Sequence, residues 1–102
     1  MKKLAPMHPG EVLREEFLGP LGLAPYSVAK MLGVPRTRIE RIAAEKIGIT
    51  ADTALRLARL FGTSAEFWLN LQSRYDMLTA QKEIGRELNK IKPAVEVARA
   101  VA

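Results

Sequence analysis

The 102-residue sequence contains no cysteine and a single histidine. Without cysteine there can be no disulfide bond, thiolate zinc site or cysteine nucleophile. One histidine, His8, is too little to build a metal site around, and we interpret it as a polar residue flanking a helix. No apolar run approaches the roughly 18 residues of a membrane span, and the amino end does not resemble a secretory leader. We therefore expect a cytoplasmic protein with no metal, no cofactor and no membrane partner.

The chain also lacks the residue combinations of an enzyme. It has no nucleophile paired with a base, no phosphate-cradling glycine run and no pocket-forming loop around its carboxylates, so we expect no catalytic activity. Basic residues do stand out: sixteen Lys and Arg against eleven Asp and Glu give a net charge of +5. This charge favours a polyanionic partner, although many basic domains bind no nucleic acid.

Apolar residues recur at helical spacing almost throughout, and no segment alternates as a strand would. The pattern predicts an all-α fold, a compact five-helix domain followed by a helical extension. The predicted helices cover residues 9–18, 25–32, 35 or 36 to 45, 51–61 and 65–80. Thr50 and Ser64 are the expected N-caps of the last two. We expect residues 1–80 to form the domain and 81–102 an extension that contacts a partner, its tail being a short helix or disordered.

Two of the predicted helices carry apolar residues whose faces can be assigned. The fourth helix should direct five residues to the core, namely Ala54, Leu55, Leu57, Ala58 and Phe61. The fifth helix, which can continue to Ile91, carries two stripes. One consists of Trp68, Leu71, Tyr75 and Leu78, and the other of Met77, Ile84, Leu88 and Ile91. A domain this small cannot easily bury both, so the second stripe is a surface for a partner protein, a homodimer interface or, less favoured, part of an overextended core helix.

Residues 25–45 have the pattern of a helix-turn-helix. Two closely crossing helices need a small residue at the crossing and a residue that accepts positive φ in the turn, and Ala29 and Gly33 occupy those places. Five apolar residues at matching spacing lock the pair together: Val28, Leu32, Val34, Ile39 and Ile42. The same spacing also occurs in helical hairpins that bind no DNA.

The third helix has an outward face suited to DNA. With Ile39 and Ile42 inward, Thr37, Glu40, Arg41 and Ala44 face outward and Arg36 and Arg38 flank them. Arginine can bond guanine through two donors and threonine can contact a base, so Arg36, Thr37 and Arg41 are candidates for base edges. Arg38 and Lys46 are candidates for phosphates. Glu40 either accepts from cytosine or pairs with Arg36.

Four segments within residues 7–80 carry a family resemblance: "MHPGEVLREEFLGPLGL", "YSVAKMLGV", "PRTRIERI" and "GITADTALRLARLFGTSAEFWLNLQSRYD". Over these residues the chain resembles the HigA family of antitoxins, a branch of the phage-repressor-like (XRE) helix-turn-helix proteins. It implies a homodimer that binds a palindromic operator in double-stranded DNA and represses its own operon. It also implies a cognate toxin partner, typically an mRNA endonuclease of the RelE-like fold, which makes the second stripe a candidate toxin-binding surface. The positions at which such proteins contact DNA are occupied here by Arg36, Thr37, Arg38 and Arg41. Tyr26 and Ser27 are the residues expected to contact the DNA backbone.

The chain departs from the family pattern at two places. Ala24 and Pro25 stand where members usually have Ser-Gln, which removes a capping hydroxyl and an amide suited to a phosphate. Ala44 and Glu45 replace an Arg-Gly pair before Lys46, so that a carboxylate stands where a positive-φ glycine is favoured. Two other interpretations therefore stay open: a stand-alone XRE-type regulator without a toxin, and a protein-interaction module that has lost DNA affinity.

Overall fold

The structure, a computed structural model, describes residues 6–101 and the side chains of residues 6–99. Six helices and no strand occur among those residues, which confirms the all-α prediction. The first helix, α1, is continuous and comprises α-helical Pro9–Val12, π-helical Leu13–Leu18 and α-helical Gly19–Leu21. The others are α2 (Pro25–Leu32), α3 (Arg36–Ala43), α4 (Ala51–Phe61), α5 (Ala65–Asn89) and α6 (Ala94–Val101).

Helix α1 runs three residues beyond its predicted end at Leu18, so that prediction is wrong. The preceding turn is π-helical, and the N–H of Gly19 bonds to the carbonyl five residues earlier. We attribute the tolerance of Pro20 to this wider turn, because a proline ring clashes with the carbonyl four residues back in a regular α-helix. Gly22, with φ of 64°, then ends the helix in the left-handed conformation.

The hydrophobic core lies where α1, α2, α3, α4 and the first turns of α5 meet. Its largest fully buried side chains include Leu13, Val28, Ile39, Ile42, Leu57 and Trp68. The indole Nε1 of Trp68 donates to Thr63 Oγ1 at 2.8 Å, so the largest core residue leaves no polar atom unpaired. Leu55 does not join the core as predicted; it is 63% exposed, because it lies about 100° around α4 from buried Ala54.

Local capping sets most helix boundaries. Thr50 Oγ1 accepts from the N–H of Thr53 and Ser64 Oγ accepts from the N–H of Phe67, which confirms both predicted N-caps. The helix-flanking role of His8 is also confirmed, since its Nδ1 accepts from the N–H of Gly10 at 2.9 Å. His8 is also buried, with 4% of its surface exposed, and its ring meets that of Tyr75 edge to face.

The start of α1 packs against the end of α3 without a side chain between them. A Cβ atom on Gly10 would overlap the backbone carbonyl of Ile42. Only glycine permits this approach, which ties α1 to the carboxyl end of α3.

The carboxyl-terminal part of α5 and the helix α6 project from the bundle. Helix α5 has a break at Ile84, where φ is −114° and ψ is 17°, and it ends at Asn89, before Ile91. The tail forms the helix Ala94–Val101, so of the two alternatives for this segment the helical one is correct. The molecule measures 62 × 30 × 22 Å. Its radius of gyration, 18.4 Å, exceeds the roughly 13 Å of a compact domain of this length.

Candidate nucleic-acid interface

Helices α2 and α3 form the predicted helix-turn-helix pair. Ala29 lies at their crossing and is 1% exposed, and Gly33 has φ of 71° in the turn. The N–H of Val34 bonds to the carbonyl of Ala29 at 3.0 Å, and the N–H of Gly33 bonds to that of Lys30 at 3.2 Å. These two bonds are a Schellman motif, which explains why the chain reverses within one turn.

Packing fixes the orientation of α3 on the domain. The inward residues of the pair, Val28, Leu32, Ile39 and Ile42, are buried, and Val34 packs against them partly buried. All five apolar positions that the motif predicted are therefore in contact with the core. Because protein cores are close-packed, the outer face of α3 is held at one angle to the rest of the molecule.

The outer face of α3 is exposed and carries the predicted residues. The side chain of Arg36 is 71% exposed, and Thr37, Arg41 and Ala44 are exposed as well. Within residues 6–101, Arg41 makes no side-chain hydrogen bond or ion pair. A guanidinium and a hydroxyl thus face outward on one side of a rigid helix, with donors available to a ligand.

Helix α3 ends at Ala43, two residues earlier than predicted, and Glu45 follows with φ of 62°. The position thus keeps its positive φ, although Glu45 stands where glycine is favoured. The N–H of Glu45 bonds to the carbonyl of Ile42 at 2.9 Å, and the N–H of Lys46 bonds to that of Arg41 at 2.8 Å. Glu45 therefore occupies the glycine position of a Schellman motif at a conformational cost of about 1 kcal/mol.

A guanidinium from α1 holds the end of α3. Arg14 Nη1 donates to the carbonyl of Ala43 at 2.6 Å, and Arg14 Nη2 pairs with Glu45 Oε2 at 3.2 Å. The carboxylate of Glu45 thereby points to Arg14, and hydrogen bonds to Glu15 and Glu45 raise the pKa of that arginine. Sequence reasoning missed Arg14, because its partners lie 29 and 31 residues away in the chain.

Glu40 pairs with Arg36 within α3. Arg36 Nη2 and Glu40 Oε2 are 3.1 Å apart, so of the two roles considered for Glu40 the ion pair is the one present. An exposed pair four residues apart contributes only about 0.3–0.5 kcal/mol. The contact is weak enough for a ligand to draw Arg36 away.

Arg38 lies on the flank of α3 and contacts α4. Its Nη1 donates to Asp52 Oδ1 at 2.7 Å, and Arg56 Nε donates to the same oxygen at 2.7 Å. Hydrogen bonds from these two guanidinium groups, with Arg56 having the larger effect, hold the pKa of Asp52 below its usual value. Arg56 Nη1 also donates to the carbonyl of Leu32, at the end of α2, at 2.6 Å. Nothing in the local sequence pattern indicated this cluster.

The remaining predicted residues lie beside α3. Tyr26 is 59% exposed and Ser27 partly exposed on the first turn of α2, whose N-cap, Ala24, provides no side-chain acceptor. Lys46 is exposed in the loop between α3 and α4. That loop is anchored where the N–H of Ile49 donates to Gln72 Oε1 at 2.6 Å.

Among residues 6–101 no group of three or more His, Asp or Glu side chains is arranged to hold a metal ion. Over the same residues, none of the helices is both long and apolar enough to span a membrane.

Comparison with known proteins assigns a family. The helix-turn-helix family HTH_3 matches residues 13–68. Virulence-associated protein I of Dichelobacter nodosus is 50% identical over 95 residues, which cover 93% of this chain and 87% of that protein. Antitoxin HigA-1 of Vibrio cholerae is 33% identical over 91 residues, covering 89% of this chain and 86% of that protein.

A solved structure of the Pseudomonas aeruginosa antitoxin HigA with the higBA promoter is similar in fold, with a TM-score of 0.84 and 45% identity. The match covers 86% of this chain and 97% of the HigA chain. Such helix-turn-helix antitoxins and regulators are not enzymes, in agreement with the chemistry expected from the sequence. The chain belongs to the helix-turn-helix family HTH_3, in the group that contains the HigA antitoxins.

Proposed function

We propose that this protein is a HigA-type antitoxin that binds a palindromic operator as a dimer and represses its own operon. The observation that carries the proposal is the outer face of α3, where Arg36, Thr37 and Arg41 are exposed on a helix whose packing and ends are fixed. The relative solved with promoter DNA supports the same use of the motif.

The residues divide into two groups by the contact that each can make. Arg36, Thr37 and Arg41 reach base edges in the major groove, where arginine bonds guanine through two donors. Tyr26, Ser27 and Lys46 border that face and contact phosphates, which position the protein without reading sequence. Arg36 leaves Glu40 when it binds, at a cost smaller than a single good base contact, which contributes about 1–3 kcal/mol.

A palindromic site requires two copies of α3 about 34 Å apart on one side of the duplex. We assign the contact between copies to the second stripe of the carboxyl-terminal region, Met77, Ile84, Leu88 and Ile91. These side chains are 57%, 43%, 42% and 69% exposed. A two-fold dimer buries the same patch on both copies, and exposed apolar side chains along the projecting carboxyl-terminal region suit it, although α5 breaks at Ile84 and ends before Ile91.

The antitoxin role is the second part of the proposal. The protein binds and neutralises a cognate toxin, an mRNA endonuclease of the RelE-like fold, in the cytoplasm where its operator also lies. Membership in the group of the HigA antitoxins supports this role. The test begins with a search for a small basic reading frame directly beside the gene, whose product is co-expressed with this protein. Co-purification and rescue of growth are expected, whereas growth arrest with no complex would contradict the role.

Operator binding is tested by fluorescence anisotropy with DNA from upstream of the gene and a shuffled duplex of the same composition. We expect tighter binding to the native duplex by at least about a thousandfold. Arg41→Gln should cost about 1–3 kcal/mol of that discrimination. The control Arg59→Gln changes an exposed arginine that borders the groove between α2 and α4, and it should leave the discrimination unchanged. If the protein bound both duplexes equally and with a steep salt dependence, its positive charge would serve only to attract phosphates, and the proposal of sequence-specific binding would fail.

A further inference from the structure

The cluster around Asp52 links three helices through one carboxylate oxygen. Arg38 of α3 and Arg56 of α4 both donate to Asp52 Oδ1 at 2.7 Å. Arg56 continues the chain to α2 by donating to the carbonyl of Leu32 at 2.6 Å. Helix α3 is thereby connected to the end of α2 through side chains of α4, in addition to the turn that joins α2 and α3 directly.

The geometry of Arg38 differs from that of Arg36 on the same helix. The side chain of Arg38 is 35% exposed, against 71% for Arg36, and its Nη1 is engaged with a residue 14 positions away. If Arg38 turned to a phosphate, Asp52 would lose one of its two cationic partners beside a polyanion. The repulsion between that carboxylate and the DNA backbone opposes such a movement.

We propose that Asp52 is a positioning residue for DNA recognition, and that Arg38 acts through Asp52 and does not bind a phosphate. The cluster sets the angle of α3 and so determines how well Arg36, Thr37 and Arg41 discriminate one sequence from another. This proposal rests on the proposed function, since it concerns the same DNA-binding face.

The salt dependence of DNA binding separates the two roles of Arg38. Removing a side chain that neutralises one phosphate reduces the slope of log K against log salt by about 0.9. We expect Arg38→Gln to leave the slope within about 0.3 of the wild-type value, whereas Lys46→Gln, at the proposed phosphate-binding lysine, lowers it by about 0.9. A decrease of about 0.9 with Arg38→Gln would overturn the proposal. This measurement uses any duplex, so it remains valid even if the protein proves to bind DNA without sequence preference.

A double-mutant cycle then tests the coupling. Asp52→Ala and Arg38→Gln should each reduce the preference for native over shuffled DNA by roughly three- to tenfold, and the double variant should lose no more than either alone. Asp52→Glu, which keeps the carboxylate, should restore most of the preference. Additive losses, or failure of the Glu variant in a protein with unchanged Tm, would overturn the positioning role. Failure of the wild type to prefer native DNA would instead refute the proposed function.

Discussion

Glu45 is the only non-glycine residue of the described chain with positive φ, and its surroundings compensate part of the cost. The left-handed conformation costs a residue with a Cβ about 1 kcal/mol. Glu45 also gains an ion pair with Arg14, which offsets some of this strain but is weakened by its exposure to solvent. The left-handed turn at the end of the recognition helix is thus retained without glycine.

Two substitutions at this position separate the strain from the ion pair. Glu45→Ala removes the pair and keeps the strain, whereas Glu45→Gly removes both. We expect the Gly variant to be more stable than the Ala variant by about 1 kcal/mol in urea unfolding, with equal m-values. Equal stabilities would show that residue 45 does not adopt the left-handed conformation in solution.

His8 makes the stability of the protein depend on pH near neutrality. Burial lowers the pKa of His8 below its ordinary value of 6.5, although Glu45 and Asp76 act in the opposite direction. Only the neutral ring can accept the N–H of Gly10 at Nδ1. Because the folded-state pKa is depressed, the contribution is complete above about pH 6.5 and is lost as the pH falls through the lowered pKa.

The matched variant is His8→Asn, which keeps an N-cap acceptor and removes the titrating group. Between pH 7.5 and 5.5 we expect the free energy of unfolding of the wild type to fall more than that of the variant. Urea unfolding at several pH values gives the difference directly. Parallel pH profiles would show that His8 has the same pKa in the folded and unfolded chains.

At the scale of the helices, the features predicted correctly are those determined by neighbours in the chain. Thr50, Ser64 and Gly33 act on backbone groups within three to five residues, so their roles follow from residue type and position. The contact of Arg14 with Ala43 and that of Arg38 with Asp52 could not be predicted. Each contact joins residues on different helices. The sequence contains many arginines and many possible acceptors, and only the packing of the helices determines which of them meet.

Gly10, at the contact between α1 and α3, and Gly85, in α5, should respond differently to replacement by alanine. Gly10→Ala places a methyl group on the carbonyl of Ile42 and must separate the helices, so we expect a loss of about 3 kcal/mol or more. Gly85→Ala, in α5, meets nothing within 4 Å and should be neutral or stabilise by up to about 1 kcal/mol. Thermal and urea unfolding of both variants test this. A Gly10→Ala protein as stable as the wild type would mean that the two helices do not approach this closely.

For the whole molecule, the elongated shape leaves apolar side chains exposed on the projecting part of α5. If two copies pair through this stripe, replacing Ile84 and Leu88 by Gln removes buried apolar area twice over, once from each protomer. The double variant Ile84→Gln, Leu88→Gln should raise the dimer dissociation constant at least about a hundredfold in sedimentation equilibrium. Operator affinity should fall with it, because a monomer contacts only one half-site.

The control for this variant is Glu83→Gln, Glu87→Gln, which changes the adjacent exposed positions of the same helix at the same spacing. We expect it to dimerise as the wild type does. If the Ile84 and Leu88 variant also remained a dimer, the interface would lie elsewhere, and Met31 and Leu55 would be the next residues to test. Their side chains are 56% and 63% exposed and border one groove between α2 and α4. The dimeric mechanism itself would be contradicted if the wild-type protein stayed monomeric at high micromolar concentration and still bound the whole palindrome tightly. In that case no contact between two protein copies would link the binding of the two half-sites.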